Sequence, residues 1–451
     1  MRLAWFSPWP PQTSGVAGIS AVVVDRLAAA GHAVDVFIDH RDTSAPAPRT
    51  GADAPQPGDV RILPAHDFVW RHGRGQIDLV VYQMGNSRFH EYIWPYLFQF
   101  PGLAVLHDAR LHHARARALL AARRTDDYRA EFTFNQPDAA AAAELAIPGF
   151  DGTYYYLWPM TRAVVAASRL TALHTRGGAH DLAAASPGSP VEYVALGQEA
   201  LPVLSPDARQ SVRASLGLDA SHLVFGVFGA LTAEKRVSQI VRAFAQVLRI
   251  VPHARLLLAG AADQRTDLDR LARASGVERA VVRCGVLDDA AFDRAIAAAD
   301  VSLNLRWPTA VETSGPWIRA LSAGVPTVTM ALAHQAHVPA LDPRDWSVSP
   351  PGADAATVSV DVVDEDHSLG LAMRRLATDA GLRAAVGRGG RRYWEAEHTV
   401  ERMVDDYRRV IDRAAAREAP AVDLPAHLRP DPTALVGRTL AAFPEVSCTL
   451  R

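Results

Sequence analysis

Arg306–Thr329 reads RWPTAVETSGPWIRALSAGVPTVT, and the rest of the chain is organised around this stretch. It follows AAADVSLNL, an apolar run of strand composition that Pro308 and Thr309 interrupt. Glu312-Thr313-Ser314-Gly315 then opens a helix. Thr313 or Ser314 supplies the capping hydroxyl, and Pro316 falls in the first turn, where a missing N–H loses no partner. Trp317, Ile318, Ala320 and Leu321 give the helix an apolar face, and Gly324-Val325-Pro326 stops it before a strand over Thr327–Met330. Free N–H groups and the positive dipole end at such a helix start face whatever lies beyond the strand's carboxyl edge, which makes an anion site. An ordinary capped βα turn has the same pattern, so the stretch by itself leaves both readings open.

The same grammar recurs upstream. Leu223–Phe228 is an apolar strand, Gly229–Arg236 a loop, and Val237–Val251 an amphipathic helix. Lys235, the single lysine of the chain, stands beside Arg236 at that helix start. Cations there oppose the helix dipole and destabilise the turn unless an anion offsets them. A phosphate group held by Lys235, Arg236 and backbone N–H groups is the economical reading, and two solvated basic side chains are the plain one. Further strands over Arg255–Ala259, Ala280–Cys284 and Val301–Leu305 alternate with helices over Asp267–Ala274 and Ala290–Ala298.

The first half of the chain opens with a strand over Leu3–Phe6, the loop SPWPPQTSGVAGIS, a helix over Val22–Ala30 and a strand over Val34–Ile38. Gly15 and Gly18 would let the loop backbone approach a ligand, or serve only a tight turn. RDTSAPAPRTGADAPQPGD reads as an exposed excursion. Short apolar runs at Val60–Leu63, Leu79–Gln83, Ala104–Leu106, Ala172–Thr175 and Val191–Ala195 suit a buried parallel sheet. Polar residues gather at two strand ends: Gln83 to Asn86 with His90, and His107-Asp108 with His112 and His113. Open α/β sheets bind ligands there, which singles out Asn86 and His107, although His107 would also serve as a helix cap. The paired histidines lack a carboxylate at ligand spacing, so no metal site is read. The aromatic run Tyr154–Trp158 fits a core or a lid over an acceptor.

Composition narrows the class. A length of 451 residues accommodates two or three domains. With 49% hydrophobic and 21% charged residues the chain reads as soluble and globular, and a net charge of −2 gives no reason to expect nucleic acid. Cys284 and Cys448 form neither a disulfide framework nor a metal motif, which points to a reducing cytoplasm. Met1-Arg2 leads straight into a strand, so no signal peptide is read, and no apolar run has the length of a membrane span.

ADVSLNLRWPTAVETSGPWIRALSAGVPTV resembles the donor-site segment of retaining, nucleotide-sugar-dependent glycosyltransferases of family 4. FGALTAEKRVSQIVRAFAQVLRIVPHARLLLAG is similar to that family's phosphate loop and helix, and VYQMGNSRFHEYI and LAVLHDARLHH to the first domain of a bacterial branch. The resemblance runs from about Arg2 to about Ile411. It implies an α/β GT-B fold, with two Rossmann-like domains whose parallel sheets face across a cleft. The domains would be an acceptor-side domain over 1–200 and a nucleotide-sugar domain over 201–392. A helix over 393–413 would cross back to the first domain, ahead of a surface tail over 414–451.

The resemblance also implies roles. The partners are a nucleoside-diphosphate sugar and a glycan, lipid-linked or small-molecule acceptor, with no metal or other cofactor; peripheral membrane association stays open. Lys235, Arg236, Ser314, Gly315 and Gly15 would hold the diphosphate. Arg283, Cys284, Leu287 and Arg319 would lie at the nucleobase or ribose. His107 and Glu312 would be catalytic, and Asn86, Asp108 and His90 would line the acceptor side. One departure stands out: the family carries two glutamates eight positions apart, and this chain has Val311 and Arg319 there, with Glu312 one residue late. Glu312 takes the first role, and nothing obvious takes the second, which in the family holds the ribose. Arg319 therefore either pairs with a carboxylate or reaches the ligand. A sugar-nucleotide epimerase of the same fold and a non-catalytic sugar-nucleotide-binding partner are the competing readings. A pyridoxal-dependent phosphorylase would need a second lysine.

Overall fold

The computed structural model describes residues 1–12, 14–39, 56–148, 152–262, 267–429, 431, 433, 436 and 440. Cys448 and most of the Pro- and Gly-rich excursion after Asp39 lie outside them. The chain divides into two compact units. Unit 1 holds Met1–Ala195, Ala310–Thr313 and Glu401–Arg451, and unit 2 holds Leu196–Thr309 and Ser314–Val400.

Unit 1 is built on seven strands: β1 (Arg2–Phe6), β2 (Ala33–Ile38), β3 (Val60–Pro64), β4 (Leu79–Met84), β5 (Leu103–Leu106), β6 (Leu170–Leu173) and β7 (Val191–Tyr193). Their order is β3-β2-β1-β4-β5-β6-β7, and every pairing is parallel. β2, β4 and β5 are buried along their whole length, and apart from Asp35 and Gln83 their residues are apolar. Helices α1 (Gly15–Ala29), α2 (Asp67–Gly73), α3 (Trp94–Gln99), α4 (His112–Ala121) and α5 (Thr125–Asn135) accompany them. So do α6 (Ala143–Ala146), α7 (Arg162–Ala167) and α8 (Arg176–Ala185). Helix α1 begins at Gly15 rather than Val22. Ser14 is extended at the N-cap, and Ala17 and Ser20 are buried, so the small residues that suggested a loop are the packed first turns of a helix.

Unit 2 carries β8 (Leu223–Phe228), β9 (Ala254–Ala259), β10 (Val281–Gly285), β11 (Val301–Leu303), β12 (Thr327–Met330), β13 (Ala340–Leu341), β14 (Val348–Ser349) and β15 (Thr357–Val360). The order is β10-β9-β8-β11-β12-β15-β13-β14, parallel except for the β13–β14 pair. Its helices are α9 (Pro206–Ser215), α10 (Val237–Ile250), α11 (Leu268–Ala274), α12 (Asp289–Ala298), α13 (Gly315–Ser322), α14 (Glu365–Thr378) and α15 (Ala380–Glu397). Two parallel-sheet α/β domains of this kind are the GT-B architecture expected from the sequence.

Helix α15 corrects one reading. The crossing helix expected over 393–413 does not start there: α15 runs unbroken from Ala380 to Glu397, through Tyr393, and a separate helix begins at Val400. The glycines of α15 are contact points: a Cβ on Gly387 would stand 2.3 Å from the Gly324 carbonyl, and one on Gly389 2.0 Å from the Ala355 carbonyl. Helix α16 (Val400–Ala415) follows, and nearly all of it belongs to unit 1. Tyr407 is fully buried with its ring 5.6 Å from Trp5, and Asp406 accepts the Ala195 N–H at 2.9 Å. The segment beyond α16 is more than a surface tail, because Leu424 and Leu428 are buried in the unit 1 core. No helix among the described residues is long and apolar enough to cross a membrane.

Candidate functional site

In unit 2, β8 ends at Phe228 and the chain turns at Gly229, whose φ of 87° is open to glycine and strained for other residues. A short 3-10 turn, Ala233–Lys235, leads to Arg236 in the left-handed region (φ 57°) and then to α10. This turn folds Lys235 back over the strand end. Its ammonium donates to the Phe228 carbonyl, and no carboxylate is among its described partners. Burial first, and then the Arg306 charge, bring the Lys235 pKa down to about 7. A Cβ on Gly229 would lie 2.7 Å from Lys235 Nζ and 3.6 Å from Pro316 Cγ. The ammonium and the first turn of α13 therefore flank one glycine. Ser314 occupies the N-cap of α13 with extended backbone, but its side chain makes no cap bond. A desolvated cation and an uncapped helix start converge on one spot, an arrangement suited to an anion.

Arg236 is placed differently. It forms a two-bond pair with the buried Glu365, its Nε at 2.8 Å from Oε1, so its guanidinium braces α10 against α14. Arg319 bonds Asp293 at 2.8 Å and Gln198 at 3.3 Å, with Asp289 at 3.6 Å and its guanidinium 5.5 Å from the Phe292 ring. Of its two sequence readings, pairing with a carboxylate is the one the side chain adopts. Burial raises the Asp293 pKa, and Arg319 opposes that shift. Arg319→Ala should therefore leave a half-buried carboxylate unpaired and lower stability by about 1–3 kcal/mol, with nucleoside-diphosphate affinity unchanged. Thermal unfolding and a binding titration on the same variant check both halves. The turn after β10 is largely exposed: Arg283 pairs with Asp269, Cys284 and Leu287 are half-buried, and Gly285 has a φ of 64°.

In unit 1, His107 stands just past the carboxyl end of β5. Its Nε2 lies 2.7 Å from Gln83 Oε1, which also accepts the Tyr407 hydroxyl at 3.2 Å, and its ring is 4.7 Å from that of His174. Burial, with His174 and His90 nearby, holds the His107 pKa well below 6.5, so the imidazole is neutral at physiological pH. It does not cap α4, whose N-cap position is Leu111. Gln83 and His107 are joined by His174 and Tyr407, which sequence reasoning missed. Reading β6 two residues too far buried His174 inside a strand, when it stands just past the strand's carboxyl end as His107 does. Tyr407 comes from α16, and no local pattern ties it to β4.

Asn86 is a clamp. Its side chain donates to the Arg110 carbonyl at 2.5 Å and accepts from the Ala114 N–H at 3.3 Å, and its own N–H bonds Asp108 at 2.8 Å. His90 is buried against the Gln83 carbonyl at 2.8 Å, its pKa pushed down to about 4. These bonds tie the ends of β4 and β5 to the residues that follow them. His112 is buried against the Tyr128 hydroxyl at 2.8 Å, and the described residues contain no group of three or more metal-ligating side chains. Gly15 is the first residue of α1. Glu312 belongs to unit 1 with Ala310–Thr313; burial lowers the Arg110 pKa and the Glu312 charge partly restores it. Beside it, Val311 has a φ of 61°, a strained conformation for a β-branched residue, and Thr313 bonds the His174 carbonyl at 2.5 Å.

Comparison with known proteins bears on unit 2 first. Residues 222–356 match the family Glycosyl transferases group 1. That span contains Lys235, Ser314 and Gly315. No curated protein sequence matches the chain. Among solved structures, sucrose-phosphate synthase from Thermosynechococcus elongatus superposes with a TM-score of 0.63 at 17% identity, covering 91% of this chain and 98% of that one. Anabaena HepE in complex with UDP-glucose gives 0.59 at 13%, covering 91% and 99%. WaaG, a glycosyltransferase involved in lipopolysaccharide biosynthesis, gives 0.56 at 17%, covering 92% and 100%. At these identities the likeness establishes the fold.

Proposed function

We propose that this chain is a glycosyltransferase. It moves a sugar from a nucleoside-diphosphate sugar to a hydroxyl of a glycan, lipid-linked or small-molecule acceptor, with retention of configuration. The observation that carries the reading is the Lys235 ammonium, part-buried, with no carboxylate among its described partners and sharing Gly229 with the start of α13. Such a cation is unfavourable until an anion meets it, and a diphosphate meets it best. The match over residues 222–356 and a solved structure of the same fold holding UDP-glucose support the choice of ligand.

The chemistry follows from charge. As the glycosidic bond breaks, negative charge grows on the leaving diphosphate. A fixed ammonium and helix N–H groups favour that state over the ground state. In a retaining transfer, departure and attack take place on one face of the sugar, and a diphosphate oxygen takes the acceptor's proton. Glu312 positions hydroxyls of the transferred sugar. Neutral His107 donates from the Nε2 side to Gln83 and offers Nδ1 as an acceptor to a sugar hydroxyl. Arg236 is engaged with Glu365, so in this reading the diphosphate contact falls chiefly to Lys235.

Two expectations test the division of labour. Glu312→Ala should lower turnover by tenfold or more while changing nucleotide affinity by less than about threefold, because its contact is with the transferred group. Steady-state kinetics set against a binding titration separate the two. The reaction should also continue undiminished in EDTA, since the ammonium and the helix start do the work of a divalent cation; loss on chelation, restored by manganese or magnesium, would count against this site. Thermal shift with a panel of nucleotide sugars tests the function itself: at least one should raise the melting temperature of the wild type and not of Lys235→Ala. A sugar-nucleotide-binding protein without turnover is the reading that Val311 and Arg319 favour, and a donor that binds without being consumed would select it.

A further inference from the structure

Unit 1 contains a cavity of about 630 Å³ between α3, α4 and the segment Ala426–Leu428 that follows α16. Its volume lies within the roughly 300–1,000 Å³ of small-molecule sites. The floor is an ion cluster. Arg115 pairs with Glu131 through Nε at 2.8 Å and through a second nitrogen, and His427 bonds the same carboxylate at 2.9 Å with Asp127 at 3.3 Å. The Arg115 guanidinium lies 4.4 Å above the Trp94 ring. Trp94 also lines the cavity and is only 3% exposed, yet its indole N–H has no partner among the described residues. A buried indole can only donate, so this one needs an acceptor from elsewhere.

The lining determines what kind of acceptor. The lining has three arginines, Arg115, Arg124 and Arg429, and three carboxylates, Asp39, Glu91 and Asp431; the arginines are also paired behind it with Glu131, Asp127 and Asp423, and Glu91 with Arg117, so the wall presents no excess cation apart from its histidines. A strongly anionic or cationic ligand gains little there. A ligand whose groups both donate and accept hydrogen bonds, with faces of C–H against aromatic residues, uses all of these groups. We infer that the cavity is a saccharide-binding site, with a sugar oxygen accepting from Trp94 Nε1 and its hydroxyls spanning the arginines and carboxylates of the wall. On the glycosyltransferase reading the bound saccharide is part of the acceptor. The C-terminal segment is then the roof of that site, with Leu424 and Leu428 anchoring it in the core and His427 tying it to α5.

The test uses the full chain and saturation-transfer NMR with glucose, galactose, N-acetylglucosamine, maltose and lactose as probes. At least one should bind saturably. Ala118→Trp, which fills the cavity from a half-buried position on α4, should weaken that binding at least tenfold, and Trp94→Phe at least threefold. Ala118→Trp leaves the buried ion cluster intact, so it remains informative if Trp94→Phe fails to fold. Both readouts are set beside nucleoside-diphosphate binding, which neither substitution should alter. Saccharide binding without nucleotide binding would remove the transferase reading and leave the cavity standing. No saturable sugar, wild-type binding in Ala118→Trp, or inorganic phosphate binding in the place of sugars would overturn the inference.

Discussion

Lys235→Ala should bind a nucleoside diphosphate at least tenfold more weakly than the wild type and melt no lower. A charge-assisted contact is worth about 1.5–3 kcal/mol, and each 1.4 kcal/mol is about tenfold in affinity, so the loss spans about 10- to 150-fold. The stability half of the expectation follows from the same geometry. The ammonium is desolvated, Arg306 repels it, and its described partner is one carbonyl, so removing it takes away an unfavourable group. A basic residue with an ordinary structural role would show the opposite pattern. Isothermal titration and thermal unfolding of the one variant decide between them, and unchanged affinity in a folded variant would end the phosphate assignment. Gly229→Ala should mimic the loss, since its Cβ would stand 2.7 Å from the ammonium and push it aside, at a φ of 87° that is strained for alanine.

Nucleotide affinity should fall as pH rises above about 7. The Lys235 pKa stands at about 7 in the free protein, pulled down by burial and then by Arg306. A bound diphosphate raises it, because an anion favours the charged amine. Well below pH 7 the amine is protonated with or without ligand, and Lys235 contributes no pH dependence to affinity. Above pH 7, binding draws in one proton, and affinity declines by up to about tenfold per pH unit until the pKa of the complex is reached. Stability without ligand runs the other way. Between about 7 and the ordinary lysine value of 10.5 the unfolded chain binds more protons than the folded one, so this group makes the fold more stable as pH rises. Titrations in buffers of different ionisation heat should show proton uptake on binding at pH 8 in the wild type and none from this source in Lys235→Ala. Uptake that is identical in the two would mean that another group carries the linkage.

The βα grammar was readable because periodicity and breakers are local. β8 at Leu223–Phe228 and β12 at Thr327–Met330 fall where the residues place them. Misreadings arose where a glycine serves a distant neighbour. Gly387, Gly389 and Gly390 signal a break by propensity, and they are instead the points where α15 meets Gly324, Ala355 and Leu321 closely. Lys235 was legible as an isolated cation at a helix start. The neighbouring Arg236 carries the same signal, and only the fold reveals that Glu365, far along the chain, occupies it. The network around His107 was half legible: Gln83 and His107 stand at strand ends, whereas Tyr407 reaches Gln83 across 324 positions of sequence. Leu424 and Leu428 sit in a polar, Pro-rich run too short to show a period, and their burial depends on the groove that unit 1 offers them.

The central claim is that the site around Lys235 and the start of α13 breaks the bond between a sugar and a nucleoside diphosphate. Incubating the full chain with a panel of nucleotide sugars and quantifying released nucleoside diphosphate by chromatography tests it most directly. We expect slow release from at least one donor in water, undiminished in EDTA and lowered at least tenfold in Lys235→Ala. A wild-type chain that releases nucleoside diphosphate from none of the donors, or a Lys235→Ala variant that releases it at the wild-type rate, would contradict the account.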